Sequence, residues 1–364
     1  MLVNFVNMAR FHPIKIQDIY KETDDCSVIT LEVPESLKPE FIFKSGQHVI
    51  LKTQIDGKDV RRSYSLCSSP TENKWQVAVK QIEDGVFSTF ANRVLKKGDT
   101  LEVMPPHGIF FSEINPDKAG NYIAFAAGSG ITPILSIIKS HLEAEPNSTF
   151  RLFYVNRNVK SIIFKEELEA LKNTYLKRFE LFYFLTREFR DLPLFNGRLS
   201  AEKIQVLCSK IFDPAKVDQF FICGPESMIT LLRDELLSVG VAKEKIHFEL
   251  FTAKGGAKKD QVAAKVIQKK TEGTEVTIID GGKEFHFVMD AEYDNILDGA
   301  LAAGADLPFA CKGGVCSTCR CKVLEGEVAM KMNYALDEDQ VAQKFILSCQ
   351  AVPLSKKLIV DFDV

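Results

Sequence analysis

The N-terminal third of the chain alternates apolar and polar residues in short runs, as half-buried strands do. Runs such as HVILKTQI, SYSLCSS and WQVAVKQI are separated by the turn-forming sequences IDGK, SPTENK and KKGD. Several short strands at this spacing predict an antiparallel barrel or sandwich, and we favour a β-barrel over residues 1–114.

Residues 115–252 carry a different pattern, in which apolar strands alternate with helices. The runs YIAFAA, FRLFYVN, FELFYFL and QFFICG are largely apolar, whereas FKEELEALK and SMITLLRDELLSVG have helical periodicity. Strands of this kind are buried on both faces and belong to parallel sheets with helices on each side. The pattern therefore predicts a doubly wound parallel α/β domain.

The C-terminal part begins with a change of composition. Residues 253–272, AKGGAKKDQVAAKVIQKKTE, combine a Gly-Gly break with lysines and predict an interdomain linker with a helical turn around VAAKVI. Beyond it, TEVTIID and KEFHFVMD predict a hairpin, and NILDGALAAG predicts an amphipathic helix. Residues 273–364 are therefore predicted to form a small α+β domain.

Length and charge limit what the chain can do. Its 364 residues allow two or three domains, each with a core of its own. A net charge of −3 gives no electrostatic support for nucleic-acid binding. The charge is uneven, because residues 273–364 hold 8 Lys and Arg against 15 Asp and Glu, whereas the preceding 272 residues hold 38 against 34. We expect the acidic C-terminal domain to help dock a protein partner.

Neither a secretion signal nor a membrane-spanning segment is expected from the residue pattern. The start, MLVNFVNMARFHPIKI, has neither a basic n-region nor a small-residue cleavage site. The longest apolar stretch, residues 122–138, is interrupted by GSG and a proline and is too short for a membrane span. We therefore predict a cytoplasmic protein, in which clustered cysteines favour metal binding over disulfides.

Four of the nine cysteines fall in CKGGVCSTCRCK, residues 311–322. A zinc site usually adds a second Cys-x2-Cys pair or histidines, and a redox dithiol usually opens a helix, whereas CRCKVLEGEV has a strand pattern. The spacing Cys-x4-Cys-x2-Cys with a distant fourth cysteine is that of plant-type [2Fe–2S] clusters. The predicted metal ligands are Cys311, Cys316, Cys319 and Cys349.

Two features of this loop qualify the ligand set. A set that uses Cys321 in place of Cys311 is arithmetically open, although the four-residue first gap favours Cys311 and leaves Cys321 as a packing residue. Gly313 and Gly314 let the backbone curl tightly and aim N–H groups at the cluster.

The motifs FACKGGVCSTC and FILSCQA resemble a plant-type ferredoxin domain, and the residues before them resemble the ferredoxin–NADP reductase superfamily. The resemblance covers nearly the whole chain and implies a FAD site. In the RRSYSLCSS segment it implies that Arg62 contacts the FAD pyrophosphate, that Tyr64 lies along the flavin and that Ser65 sits near the flavin N5. Phe251 would stack near the flavin.

A second segment, DGVFSTFANRVLKKGD, is expected to hold the FAD phosphates at a helix N-terminus. The family often has glycine where Asp84 stands, which weakens that contact. The predicted anion-binding residues are Gly85, Val86, Phe87 and Ser88.

The nicotinamide nucleotide is expected at the turns after two apolar strands. AAGSGITPILSI lacks the GxGxxG fingerprint but matches the reductase pattern Gly-x-Gly-x-Thr-Pro, and FICGPESMI resembles the family's Cys-Gly-Pro. Cationic side chains near YVNRN, where many NAD enzymes place an acid, favour NADPH over NADH, with Lys160 nearby. The predicted residues are Gly128, Gly130, Thr132, Pro133, Arg157, Arg198, Cys223, Gly224 and Pro225.

Together these sites predict an oxidoreductase that passes electrons from NADPH to FAD, then to the [2Fe–2S] cluster and a partner protein. Ser65 and Cys223 would orient the hydride acceptor and donor. The chain looks most like reductase components of multicomponent oxygenases, and the segment LEGEVAMKMNYALDEDQVAQKFILSCQ resembles the family of reductases that serve phenylacetyl-CoA epoxidases. Reductases of ring-hydroxylating, steroid or alkane oxygenases, a stand-alone flavin reductase and a non-enzymatic electron carrier stay open as alternatives.

Overall fold

A computed structural model describes residues 11–251, 271, 273–290 and 292–364. Contacts within the chain separate one compact unit, His12–Phe251, from a second unit that contains the described residues from 271 onward. The predicted linker 253–272, with its helical turn around VAAKVI, lies outside the described residues apart from Thr271. The domain boundaries at 114 and 252 stay predictions.

The first unit begins with a six-stranded antiparallel sheet in the order β4-β3-β6-β1-β2-β5. A bridge between Leu66 and Val77 joins the two edges, so the sheet closes as the barrel predicted from the alternating pattern. Its elements are β1 (His12–Thr23), β2 (Cys26–Glu32), β3 (His48–Ile55), β4 (Lys58–Ser65), β5 (Trp75–Lys80), the helix α1 (Val86–Arg93) and β6 (Thr100–His107).

A five-stranded parallel sheet follows in the order β11-β10-β7-β8-β9. Four of its strands coincide with the largely apolar runs, and the three inner ones are buried along most of their length, as expected where helices cover both faces. The doubly wound prediction is confirmed. Its elements are β7 (Asn121–Ala127), α2 (Ile131–Ala144), β8 (Thr149–Asn156), α3 (Lys165–Thr174), β9 (Phe179–Leu185), α4 (Ala201–Lys210), β10 (Gln219–Gly224), α5 (Glu226–Ser238) and β11 (Ile246–Leu250).

Helix α2 joins the barrel to the parallel sheet. Twelve of its 14 residues are buried, because the barrel covers the face that would otherwise meet solvent. Lys139 lies in this contact and pairs with Glu72 of the barrel at 2.7 Å and Glu167 of α3 at 2.5 Å. The Ser136 hydroxyl donates to the carbonyl of Ser68 at 2.6 Å. Because Lys139 is buried, loss of either carboxylate would leave its charge poorly compensated and would destabilise this contact.

The second unit has a mixed sheet in the order β13-β12-β18-β14-β16 and a separate pair, β15-β17. The β12–β13 hairpin and the helix α6 stand where the sequence predicts them, and α6 buries Ile296, Leu297 and Ala300 in the core of this unit. Its elements are β12 (Thr274–Asp280), β13 (Lys283–Met289), α6 (Ile296–Ala302), β14 (Arg320–Glu325), β15 (Val328–Met330), α7 (Glu338–Ala342), β16 (Phe345–Leu347), β17 (Ala351–Pro353) and β18 (Lys357–Asp361).

Candidate functional site

The two predicted nicotinamide motifs lie side by side, at the carboxyl ends of the neighbouring strands β7 and β10. A Cβ atom at Gly130 would lie 2.6 Å from the carbonyl carbon of Cys223 and closer still to its oxygen, so only glycine fits there. Gly224 is similarly confined, since a Cβ there would lie 3.0 Å from that of Ala127. The two turns therefore form one continuous backbone surface at the site where such sheets bind nucleotides.

Helix α2 begins beside that surface, immediately after the short turn Gly128–Gly130. Gly128 has φ +54°, and the Thr132 hydroxyl donates to the carbonyl of Ser129 at 3.0 Å, which closes the turn. No side chain caps the helix, and Pro133 has no N–H to satisfy. The uncapped N–H groups of a 14-residue helix suit an anionic group such as a pyrophosphate.

Arg157 follows β8 directly and is exposed, as are Lys160 and Arg198. The structure adds Arg187, whose N–H donates to the carbonyl of Arg157 at 2.8 Å and which is also exposed. Arg187 was not among the predicted residues, although its place after an apolar strand, like that of Arg157, was a usable signal.

A cavity of about 530 Å³ is lined by residues close in sequence to these cations and also by the acids Glu169 and Asp191. Apolar and charged side chains both contribute to its wall, a combination that suits the adenosine end of a dinucleotide. Glu188 also lines it, but its carboxylate accepts the N–H of Val159 at 2.8 Å. The wall includes Val159, Ile162, Lys165, Phe189, Arg190 and Phe195.

The predicted flavin residues of β4 divide between the two faces of the strand. Arg62 and Tyr64 share one face because strand side chains alternate, and Ser65 points the other way and is buried. The Tyr64 ring lies 5.5 Å from that of Phe87, between ring centroids. A flat aromatic ring and a cation on one face are what a flavin and its phosphates require.

The predicted anion-binding segment is the start of helix α1, where Gly85 is the N-cap and no side chain caps the N–H groups. A Cβ atom at Gly85 would lie 2.5 Å from Cγ1 of Ile82, so a larger residue would fill this cradle. Asp84 has φ +56°, which explains why glycine suits its position. The Ser88 hydroxyl donates to the carbonyl of Gly85 at 3.2 Å and accepts the N–H of Ile82, so it shapes the turn.

The barrel and the parallel sheet meet at a carboxyl group that the sequence analysis did not single out. Glu249 of β11 is opposite Cys223 in the ladder between β10 and β11. The Ser65 hydroxyl donates to one carboxyl oxygen of Glu249 at 3.2 Å, and Nδ1 of His48 lies 3.7 Å from the other. This joint brings the predicted catalytic pair Ser65 and Cys223 to a single carboxyl group.

Burial controls the charges in this joint. It raises the pKa of Glu249 to about 8, against the lowering effect of the Ser65 hydrogen bond. It lowers the pKa of His48 well below its usual value, helped by the neighbouring His107, whose pKa falls to about 4. Near pH 7 Glu249 and His48 are therefore a neutral pair and not an ion pair. The thiol of Cys223 is also neutral, because burial raises its pKa well above normal.

Phe251 lies two residues beyond Glu249, is half-buried and packs against the core of the parallel sheet. Its predicted stacking near the flavin stays a prediction. The available signal for Glu249 was a single acid within the apolar run HFELF, at the edge strand next to Cys223.

The second unit holds the predicted cluster ligands as free thiols in two close pairs. Cys311 hydrogen-bonds with Cys316, and Cys319 with Cys349, so that one thiol of each pair has a lowered pKa and the other a raised pKa. In the described residues no three His, Cys, Asp or Glu side chains surround one point as a single ion requires. A pair of thiols for each of two irons fits a [2Fe–2S] cluster.

Hydrogen-bond donors surround these sulfurs. The N–H of Gly313 donates to Sγ of Cys311 at 3.3 Å, and the Thr318 hydroxyl lies 3.1 Å from Sγ of Cys316. Gly314 has φ +73°, which a side chain would disfavour. Donors aimed at sulfur suit the anionic thiolates that hold iron, so this loop fits a cluster.

Cys321 lies apart from the two pairs. It is fully buried in β14, opposite Ile346, and belongs to the apolar core of the unit. Burial raises the pKa of its thiol, as expected for a packing residue.

Three family models match the chain in the order that these sites suggest. Residues 13–111 match an oxidoreductase FAD-binding domain, residues 125–234 an oxidoreductase NAD-binding domain, and residues 278–354 a 2Fe-2S iron-sulfur cluster binding domain. The chain is therefore an oxidoreductase with sites for FAD, NAD(P)H and a [2Fe–2S] cluster, as predicted.

Two curated relatives narrow this class. The chain is 42% identical to one of the proteins that make up the 1,2-phenylacetyl-CoA epoxidase of Escherichia coli K12, over 98% of this chain and 99% of that protein. It is 32% identical to the ferredoxin reductase component of 3-ketosteroid-9-alpha-monooxygenase from Rhodococcus rhodochrous, over 96% of each. The chain belongs to the family of oxygenase reductases that these two proteins represent, which confirms the resemblance seen in the sequence.

The fold is also similar to that of a solved structure, phthalate dioxygenase reductase. The TM-score is 0.57 with 23% identity, over 97% of this chain and 98% of that one. Among the described residues, none of the helices has the length and apolar character needed to cross a membrane.

Proposed function

We propose that the chain is the NADPH-dependent reductase component of a phenylacetyl-CoA epoxidase, and so acts in phenylacetate catabolism. The observation that supports the reductase role is the joint at Glu249, which links Ser65 of the barrel to Cys223 of the parallel sheet. When bound, FAD accepts a hydride and releases electrons singly, and a [2Fe–2S] cluster takes them up one at a time for the partner.

The residues that hold the cofactors are part of the proposal. Arg62, Tyr64 and the α1 N-terminus at residues 85–88 bind FAD, and Phe251 covers it. The α2 N-terminus and the turn at 223–225 bind the pyrophosphate and nicotinamide. The cluster ligands are Cys311, Cys316, Cys319 and Cys349. The free N–H groups and the paired thiols described above support these assignments.

Ser65, Glu249 and Cys223 handle the proton and orient the reacting groups. Because the pKa of Glu249 is raised to about 8, its carboxyl group holds a proton near neutral pH, while one of its oxygens accepts the hydrogen bond of the Ser65 hydroxyl. His48 lies near the other carboxyl oxygen, 3.7 Å away, and is neutral. The buried thiol of Cys223 stays uncharged and excludes water from the hydride path.

The choice of NADPH rests on cations at the ends of β8 and β9. Arg157 and Arg187 are joined through the backbone and both are exposed, so their guanidinium groups are available to a 2′-phosphate. The Glu188 carboxylate, which could serve a ribose hydroxyl instead, is bonded to the N–H of Val159.

The partner is proposed to be an oxygenase, which docks on the acidic domain of residues 273–364. The identity of 42% to an epoxidase protein favours that partner over the steroid oxygenase of the 32% relative. A cytoplasmic location belongs to the same proposal, since none of the nine cysteines is paired in a disulfide and four of them are proposed cluster ligands. The division into domains at 1–114, 115–252 and 273–364 is also part of this proposal.

One titration tests the electron path. NADPH is added without oxygen to the purified protein, and flavin and [2Fe–2S] absorption are followed together. Both should bleach, and NADH should act more slowly. Bleaching of the flavin alone would contradict the path and indicate a stand-alone flavin reductase, while bleaching of neither would indicate a simple carrier.

A second experiment tests the partner. The reductase is mixed with purified phenylacetyl-CoA epoxidase or with a ketosteroid oxygenase, and NADPH-dependent product formation is measured. Turnover with the epoxidase is expected, and turnover with only the steroid enzyme would overturn the choice of partner.

A further inference from the structure

Gln350 is a buried side chain directly after the proposed ligand Cys349, and it is 7% exposed. Its side-chain nitrogen, Nε2, donates to the carbonyl of Lys312 at 2.9 Å. The same nitrogen lies 3.6 Å from Sγ of Cys349, within hydrogen-bond range for sulfur. An amide nitrogen carries two hydrogens, so both bonds form at once. The Gln350 side chain therefore connects the sulfur of Cys349 to the backbone of the cluster loop at Lys312.

The surroundings of Gln350 hold that side chain in place. Its backbone N–H donates to the carbonyl of Leu347 at 2.8 Å, and its carbonyl accepts the N–H of Lys331 at the same distance. Its stem packs on the loop, because a Cβ atom at Gly314 would lie 3.1 Å from Cγ of Gln350. The amide group is thus anchored on both sides and aimed at the loop.

The Gln350 side chain contacts the cluster loop at a residue, Lys312, whose backbone conformation is unfavourable. Lys312 has φ +49°, a conformation that a residue other than glycine adopts only when its surroundings enforce it. Its ammonium group pairs with Asp298 at 2.7 Å, while its carbonyl takes the bond from Gln350. Two contacts, one through the side chain and one through the backbone, therefore hold Lys312 in this conformation.

Hydrogen bonds to the sulfurs of an iron–sulfur cluster stabilise its reduced form, which carries the extra negative charge. We propose that Gln350 is a positioning residue that raises the reduction potential of the cluster through its bond to Cys349 and keeps the cluster loop closed through its bond to Lys312. This inference rests on the proposed function, because it needs Cys349 as a ligand.

The test uses the full chain with the substitutions Gln350→Met and Gln350→Glu. Methionine keeps the length of the side chain without its N–H donors, and glutamate replaces them with negative charge. The midpoint potential is measured by a redox titration followed by electron paramagnetic resonance. The potential should become more negative in the methionine variant and more negative still in the glutamate variant. Loss of the cluster to a chelator should become about 10-fold faster.

Gln343 provides the matched control, since it is an exposed glutamine of the same unit. Gln343→Met should leave both the potential and the chelator rate unchanged. A purely structural Gln350 would speed cluster loss without moving the potential, and that result would overturn the proposal. An unchanged potential in both Gln350 variants would overturn it as well.

A third readout does not depend on how well the variants fold. Protein labelled with 15N in the glutamine side-chain amide is reduced and studied by pulsed electron paramagnetic resonance. A 15N coupling to the cluster is expected in the wild type, and its absence would refute the bond to Cys349. Absence of any [2Fe–2S] signal in the wild type would instead refute the proposed function.

Discussion

Gly130→Ala is the sharpest perturbation of the proposed hydride site, because the new methyl group would contact the backbone and not a movable side chain. The added Cβ would lie 2.6 Å from the carbonyl carbon of Cys223 and 3.1 Å from the nitrogen of Gly224, whereas real Cβ contacts under 3.0 Å essentially never occur. The backbone of Gly130 itself is helical, with φ −61°, so alanine adds no torsional strain and the contact alone acts.

Relief of this contact requires the turns at 128–130 and 223–225 to separate. Overpacking of this kind costs about 1–3 kcal/mol of folding free energy. The larger effect should be kinetic, because a displacement of about 1 Å in a reacting group can lower a rate about 100-fold. We expect flavin reduction by saturating NADPH, measured by stopped flow, to slow by about that factor, while FAD remains bound.

Gly240→Ala is the control, since Gly240 has φ +87° and open space around it, far from the site. That variant should lose about 1–2 kcal/mol through backbone strain and reduce its flavin at the wild-type rate. Denaturant unfolding measures both losses. A Gly130→Ala protein that transfers hydride as fast as wild type would refute the close approach of the two turns.

Three further predictions concern charge and ligands. The raised pKa of Glu249 makes the free energy of unfolding depend on pH: the contribution of this group is fully present below about pH 4.5 and is lost as the pH approaches about 8. Over that range the unfolding free energy of the wild type should fall by about 1.4 kcal/mol per pH unit relative to that of Glu249→Gln. The same pH dependence of unfolding in both proteins would contradict this. Cys311→Ser should abolish normal [2Fe–2S] absorption while Cys321→Ser retains it, and the reverse would exchange their roles. Arg157→Ala should raise KM for NADPH about 10-fold or more, since a charge-assisted hydrogen bond contributes about 1.5–3 kcal/mol. KM for NADH should stay constant. An equal change in KM for both nucleotides would remove Arg157 from the site.

The sequence predicts best those parts of the molecule that depend on neighbouring residues in the chain. The parallel strands were recognisable because burial on both faces makes runs such as YIAFAA apolar throughout. The turn at Gly128 and Gly130 was recognisable because its glycines answer local backbone demands. The alternating runs of the barrel were recognisable for the same reason, although helix α1 interrupts them.

The joint at Glu249 could not be predicted in this way. Its partners Ser65 and His48 are about 200 residues away in sequence, and they meet it only because two sheets pack through α2. A single acid in an apolar strand carries no sign of what it faces. The contact of Gln350 could not be predicted either, because the carbonyl that it binds belongs to Lys312, 38 residues earlier in the sequence.

Helix α2 has a consequence for how this chain could be divided and recombined. Strand β2 turns Ile29 and Leu31 into the barrel interior, while Cys26 and Val28 pack into the core that α2 shares with the parallel sheet. Cutting between barrel and sheet would expose both surfaces and leave the cation of Lys139 without its carboxylate on the barrel. The smallest transplantable flavin–nicotinamide cassette is therefore His12–Phe251 as a whole, and hybrid reductases built by exchanging only one of its two sheets should aggregate unless α2 and its barrel contacts travel together.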